Sequence, residues 1–272
     1  MSLGIVFKGP EGIVLAADSR VTLNAVLVLP GQQQPTMLPA TFDNATKVLA
    51  VNGHGYAGVV TYGLGALGLR EPRTAASFLP ELEEELGSQH RLSVEKFAEK
   101  VSDFFMRQWT ALSMPMPYEG PPMVFLVGGF DEDQPYGCVY QVAIPNDPTP
   151  VELNPGQFGV TWGGQREYAD RIVQGFDDAI MPTIQQALGL TDAQRDDLRN
   201  RVKAAHSMKV PYQFLSLQDC VDLAIFLVRT TIQAQRWVVD IRGVGGAIDV
   251  ATITRTKGFS FVQVKEMQGE IR

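Results

Sequence analysis

The chain has 272 residues, 45% of them apolar and 19% charged, with a formal net charge of −7. That length suits one large domain or two small ones with a sizeable core, and the composition is that of an ordinary globular protein. The acidic balance and the lack of any Lys/Arg cluster exclude a binder of nucleic-acid backbone. No apolar stretch reaches the roughly 18 residues of a membrane span, and no basic region followed by an apolar core and cleavage site opens the chain. The expected location is therefore the cytoplasm, with neither nucleic acid nor membrane as partner.

Residues 3–7 and 13–17 are apolar runs separated by Lys8, Gly9, Pro10, Glu11 and Gly12. Pro and Gly there supply the fixed and positive φ angles of a hairpin connection. Residues 47–51 and 56–60 form a second pair around Gly53, His54 and Gly55. Between the pairs, residues 29–44 are rich in Pro, Gln and Thr and read as an inserted projecting loop or hairpin. Helical patterns follow over 74–89, with Gly87 as a stop, and over 93–109. In the latter Val94, Phe97, Val101, Phe104 and Phe105 share one face. Strands return at 123–127, 137–144 and 159–161. Further helical patterns cover 168–188, 192–205 and 216–235, and strands at 247–254 and 259–264 close the chain.

Short hairpin connections imply antiparallel sheets, and apolar helical faces imply helices packed on them. The expected fold is a single α+β domain over 1–272, with sheets in the middle and helices outside. No linker composition and no internal repeat divides it.

Cys138 and Cys220 form neither a disulfide framework nor a metal-ligand spacing, and small buried side chains are their simplest role. Two stretches match the dinucleotide-binding glycine pattern, beginning at Gly53 and at Gly63. The first runs into a strand instead of a helix and the second lacks the acidic partner, so both read as turn and packing glycines. His54, His90 and His206 make no metal spacing, and His54 reads as a solvated turn residue. No Gly-x-Ser-x-Gly elbow is present. Neither a cofactor nor a metal is expected.

The informative region is the start. Ser2 follows the initiator Met, whose removal a small side chain favours. A terminal serine carries a hydroxyl and a free α-amine of reference pKa about 7.7–8.0, so the amine can act as base for its own hydroxyl. Ser2 begins a strand, and the return strand ends in Ala16, Ala17, Asp18, Ser19 and Arg20. Lys47 opens a later strand.

This arrangement resembles the opening of the proteasome β-subunit-like N-terminal nucleophile (Ntn) hydrolases, with Asp18 at the family's distance from the nucleophile. The stretches around Phe125–Asp131, Leu215–Ala224 and Val244–Val250 are similar to family segments, the last of them closest to the bacterial Anbu-type relatives. The resemblance covers nearly the whole chain. It implies a four-layer α-β-β-α sandwich with two antiparallel sheets, assembled as a homo-oligomeric ring or stack. It also implies a threonine/serine-type peptidase or amidase acting on a peptide or protein. On this reading Ser2 is the nucleophile, Lys47 and Asp18 tune it, and Arg20 braces the aspartate turn. The Thr61 N–H becomes the oxyanion donor, with Gly63 and Thr22 beside the bound substrate strand.

The chain departs from the family in several places. Ser stands where Thr is usual, and Val244 holds the position of a supporting serine. Asp240 lies one residue off the family's aspartate, and no supporting serine stands near Gly163 and Gly164. A retained Met1 would cap the amine and leave Ser2 inert. Two alternatives therefore stay open, a catalytically silent ring or scaffold protein and a dedicated amidase or transpeptidase. No residue pattern identifies an ATPase partner.

Overall fold

The computed structural model describes residues 2–27, 36–69, 71–87, 91–239 and 241–269. One five-stranded antiparallel sheet contains β1 (Leu3–Lys8), β2 (Ile13–Asp18), β10 (Gly159–Gly164), β11 (Ile248–Thr254) and β12 (Gly258–Gln263), in the order β10-β1-β2-β11-β12. The other contains β5 (Val48–Leu49), β6 (Ala57–Gly63), β7 (Met123–Gly129), β8 (Cys138–Ile144) and β9 (Asp147–Glu152), paired in that sequence. A separate hairpin joins β3 (Val21–Leu27) to β4 (Thr36–Phe42); β4 falls within the region 29–44 expected to project and β3 precedes it, while residues 29–35 of that region lie outside the described residues.

Alternation along the strands sorts side chains into layers. Leu3, Ile5, Phe7, Val14 and Ala16 share a core with α6 (Leu217–Gln235), whose buried face is Cys220, Val221, Ala224, Leu227 and Val228. Val6, Ile13, Leu15 and Ala17 point the other way and meet Val48, Val60 and Leu126 of the second sheet. Both β1 and β2 are buried along their whole length for this reason, and so they read as continuous apolar runs. On the far side, α1 (Leu79–Leu86) and α2 (Val94–Ala111) cover the second sheet. Their core includes Phe105, whose ring centroid lies 4.4 Å from that of Phe125 and 5.8 Å from that of Phe78. The layering is thus helix, sheet, sheet, helix, as expected.

Helix starts follow local chemistry. The Ser93 side chain accepts from the Lys96 N–H at the start of α2, and Ser216 with Asp219 forms a capping box at the start of α6. Three details differ from the sequence reading. The helix expected over 168–188 is two, α3 (Glu167–Val173) and α4 (Met181–Leu188), and α5 (Asp192–His206) follows them. The break comes at Gly175, which has φ +84°; a Cβ there would lie 2.6 Å from the His206 carbonyl oxygen. The strand β9 carries Pro148 and Pro150, and it survives because it is a sheet edge that needs no N–H on its outer side. His54 is not solvated. It is 1% exposed, packed against Phe97, with Nδ1 3.1 Å from the Tyr56 hydroxyl.

The close-packed aromatic cluster over the second sheet yields a stability prediction. Phe105→Ala should cost about 3–5 kcal/mol through lost burial and a residual cavity. Urea denaturation should show a lower midpoint with little change in slope.

Candidate active site

The site is assembled by the antiparallel pairing of the first two strands, which sets Gly4 opposite Ala17. Residue 2 therefore stands beside the end of β2, where Asp18 lies. Ser2 is 3% exposed. Its carbonyl accepts from the Gln165 N–H at 2.8 Å, and the next N–H, from Leu3, donates to Asp18 Oδ1 at 3.0 Å. On the β10 side, Gly164 pairs with Leu3 at φ +95°. A Cβ at Gly164 would sit 1.9 Å from the Ser2 carbonyl oxygen, so only glycine admits the approach.

Asp18 has no exposed surface. Its carboxylate accepts from four donors: Leu3 N–H and Lys47 Nζ (2.7 Å) at Oδ1, and Arg20 N–H (3.0 Å) and Gly245 N–H (2.9 Å) at Oδ2. Lys47, itself 5% exposed, also donates to the Arg20 carbonyl. Burial pushes the Lys47 ammonium down from its ordinary value of 10.5, the Asp18 carboxylate opposes that, and nearby Lys265 and Arg20 push it further down.

Arg20 serves this turn through its main chain. Its side chain leaves the carboxylate for Asp43, with Nε–Oδ1 at 2.5 Å and Nη2–Oδ2 at 2.7 Å, and for the Arg242 carbonyl. This two-pronged contact raises the Arg20 pKa and lowers that of Asp43. It pins the loop after β4 to the turn before β11.

Ser2, Lys47 and Thr61 line one narrow cleft, with Val21, Thr46, Tyr62, Leu64 and Met123 around them. A wider groove bounded by Leu23, Thr41, Phe42, Asn44 and Thr74 adjoins it through Val21 and Thr46. One expectation needs correction. The Thr61 N–H already donates to the Lys47 carbonyl at 2.9 Å and is not free to act as an oxyanion donor. Thr22 and Gly63 adjoin the cleft through their neighbours Val21, Tyr62 and Leu64, which line it.

Sequence reasoning missed a second ion pair beside the first. Asp249, 1% exposed on β11, accepts from the Lys265 N–H at 2.9 Å and pairs with the Lys265 ammonium. Asp249 lies opposite Ala17 in the sheet, one step from Asp18. Its pairing follows a strand-period rule, but the partner comes from the segment after β12, which no periodicity announced. Burial also pushes the Cys138 and Cys220 thiols up, to about 12 and about 11, so neither is a poised nucleophile. Among the described residues no group of three His, Cys, Asp or Glu side chains could hold a metal ion, and no helix is long and apolar enough to cross a membrane.

Two face-to-face antiparallel sheets between outer helices, with a buried Lys–Asp pair where the first strand begins, define a proteasome-like sandwich. Among solved structures the fold is similar to that of the Anbu (Gly-1) mutant from Hyphomicrobium sp. strain MC1. The match has a TM-score of 0.53 and 13% identity, covering 97% of this chain and 86% of that one. At this identity the likeness is one of fold. No family model and no curated protein matches the sequence.

The two members of the buried pair should respond unequally to mutation. Asp18→Ala strips an acceptor from three N–H groups and leaves an ammonium buried, so it should cost about 3–5 kcal/mol. Lys47→Ala leaves the carboxylate with its three backbone donors and should cost less. Chemical denaturation of the two variants side by side tests the order.

Proposed function

We propose that the protein is a self-assembling Ntn hydrolase that cleaves amide bonds in a peptide or protein, with Ser2 as nucleophile once Met1 is removed. Met1 lies outside the described residues. The observation that carries the reading is the buried Lys47–Asp18 pair, whose carboxylate also holds the N–H that follows Ser2. A buried ion pair is an expensive way to join two strands. It is well suited to a group that must develop negative charge next to it.

In this mechanism the Ser2 hydroxyl oxygen adds to the amide carbonyl carbon while its proton passes to the α-amine. The C–N bond then breaks as that proton moves to the leaving nitrogen, giving an ester at Ser2. Water adds to the ester with the amine again as base, and the acid leaves. The Lys47 charge favours the developing alkoxide and, as a like charge, lowers the pKa of the α-amine. The Gly63 N–H, two residues beyond the engaged Thr61 N–H, lies on the same side of β6 by strand alternation and is assigned the oxyanion. Asp18 keeps Lys47 charged and in place, and the wider groove next to the cleft suits an extended chain.

Exposed apolar side chains such as Trp237 (86%) and Val239 (104%) support assembly from copies of the chain.

Intact mass of the native protein should lack Met1, and a peptide epoxyketone should form an adduct that maps to Ser2. Such a reagent closes its ring on both a hydroxyl and an adjacent amine. Ser2→Ala should lose the adduct and the turnover yet remain folded. Retention of Met1 in active protein, or unchanged turnover in Ser2→Ala, would overturn the reading.

Lys47→Ala should lower turnover at least about a hundredfold while leaving assembly intact. Light scattering at micromolar concentration should give a mass far above the 29.8 kDa monomer.

A further inference from the structure

A single side chain at the end of α6 connects both supports of residue 2. Gln235 is the last residue of that helix and is 6% exposed. Its amide nitrogen donates to Gln165 Oε1 at 2.6 Å and to Glu167 Oε1 at 3.2 Å. Its amide oxygen accepts from the Val244 N–H at 2.9 Å. Each contact leads on to the nucleophile position by one further step. The Gln165 N–H donates to the Ser2 carbonyl. Beyond Val244, the Gly245 N–H donates to Asp18 Oδ2, while Asp18 Oδ1 receives the Leu3 N–H. The Gly245 carbonyl in turn accepts from the Ser19 N–H at 3.0 Å, closing the turn on the end of β2.

We infer that Gln235 is a positioning residue for Ser2, setting its carbonyl through Gln165 and its following N–H through the 244–245 turn and Asp18. This rests on the reading of Ser2 as nucleophile, and it adds a residue that touches neither substrate nor Ser2. The chemistry requires an amide. The Gln amide presents a donor and an acceptor on one planar group without needing to be protonated, and both are used here. A hydrocarbon of the same size would fill the space but leave the buried Val244 N–H without its acceptor, an outcome costlier than the hydrogen bond itself.

A pH signature separates positioning from packing. In Gln235→Glu the ionised side chain can still accept from Val244, but it faces Gln165 Oε1 and the Glu167 carboxylate with no donor. Once protonated it has both a donor and an acceptor again. Burial and the Glu167 charge raise the pKa of such a group, against Arg242, which lines the same cavity with Tyr168, and against Arg20 and Arg236, which line the cavity on its other side. Function in Gln235→Glu should therefore return as pH falls.

The test uses the full chain and two readouts. The first is residue-resolved hydrogen exchange, which needs no activity. In Gln235→Leu the Leu3, Gln165 and Gly245 amides should exchange about tenfold faster than in the wild type, with Phe7 and Val14 in the same sheet unchanged. The second is the rate of Ser2 adduct formation with a peptide epoxyketone. It should fall about tenfold in Gln235→Leu, and in Gln235→Glu it should recover at acid pH relative to wild type at that pH. Exchange at Leu3 and Gln165 within about twofold of wild type would overturn the inference whatever the adduct rate. An unreactive wild-type Ser2 would instead refute the hydrolase reading, with exchange still deciding the role of Gln235. Should Gln235→Leu not fold, the same exchange comparison on Gln235→Glu, above and below its titration, decides the matter. Equal exchange at both pH values, after correction by the wild type, would overturn it.

Discussion

The carboxylate of Asp18 is the constraint around which the site is built. A fully buried anion is tolerated only when its lone pairs are occupied by donors and its charge is matched. Here three backbone N–H groups and one ammonium meet that requirement. The donors come from the start of β1, the turn after β2, the turn before β11 and the residue preceding β5. These are four segments from distant parts of the chain, belonging to both sheets. Displacing any one leaves either a buried donor or a buried charge unsatisfied, so the geometry around residue 2 follows from electrostatics as much as from packing.

Much of this was legible in the sequence because it is local or periodic. The apolar run before Asp18 and the one after Ser2 identify two neighbouring strands, and the glycine and proline between them fix their antiparallel pairing. Lys47 was picked out by resemblance, since it opens a strand where the proteasome-like family has its lysine. What could not be read is long-range and aperiodic. The Thr61 N–H looked free because spacing counts residues and does not report which carbonyl stands opposite; here it is that of Lys47 itself. Gln235 looked like the last turn of a helix, and Lys265 follows the last expected strand with no pattern to mark it. His54 lay among glycines, a setting that suggests water, and burial came from Phe97 on a helix far along the chain. The division between α3 and α4 turned on Gly175, which periodicity alone had carried through as helix.

The departures from the proteasome-like pattern gain a physical meaning from the same contacts. At Val244 the side chain is apolar and buried, but the position still contributes through its N–H, which needs no particular side chain. Near Gly163 and Gly164 the contribution is again from main chain, the Gln165 N–H on the Ser2 carbonyl. Hydroxyl groups at those places would be polar side chains requiring partners of their own. With backbone donors held by one glutamine amide in their place, fewer buried polar side chains need to be satisfied here.

The charge distribution extends the argument to reactivity. Lys47 sits near two other cations, yet each of those has its own carboxylate: Arg20 with Asp43 and Lys265 with Asp249. Pairing removes most of their long-range field but not their short-range push on Lys47, which lowers its pKa along with burial. Asp18 is the main group resisting that push, and it does so with a charge already shared among three N–H donors. A carboxylate so occupied is a weaker partner for the ammonium than a free one, which leaves Lys47 more of its attraction for a new anion. In the mechanism proposed above, an alkoxide forming at residue 2 is that anion, and the buried pair would favour charge that appears only during reaction.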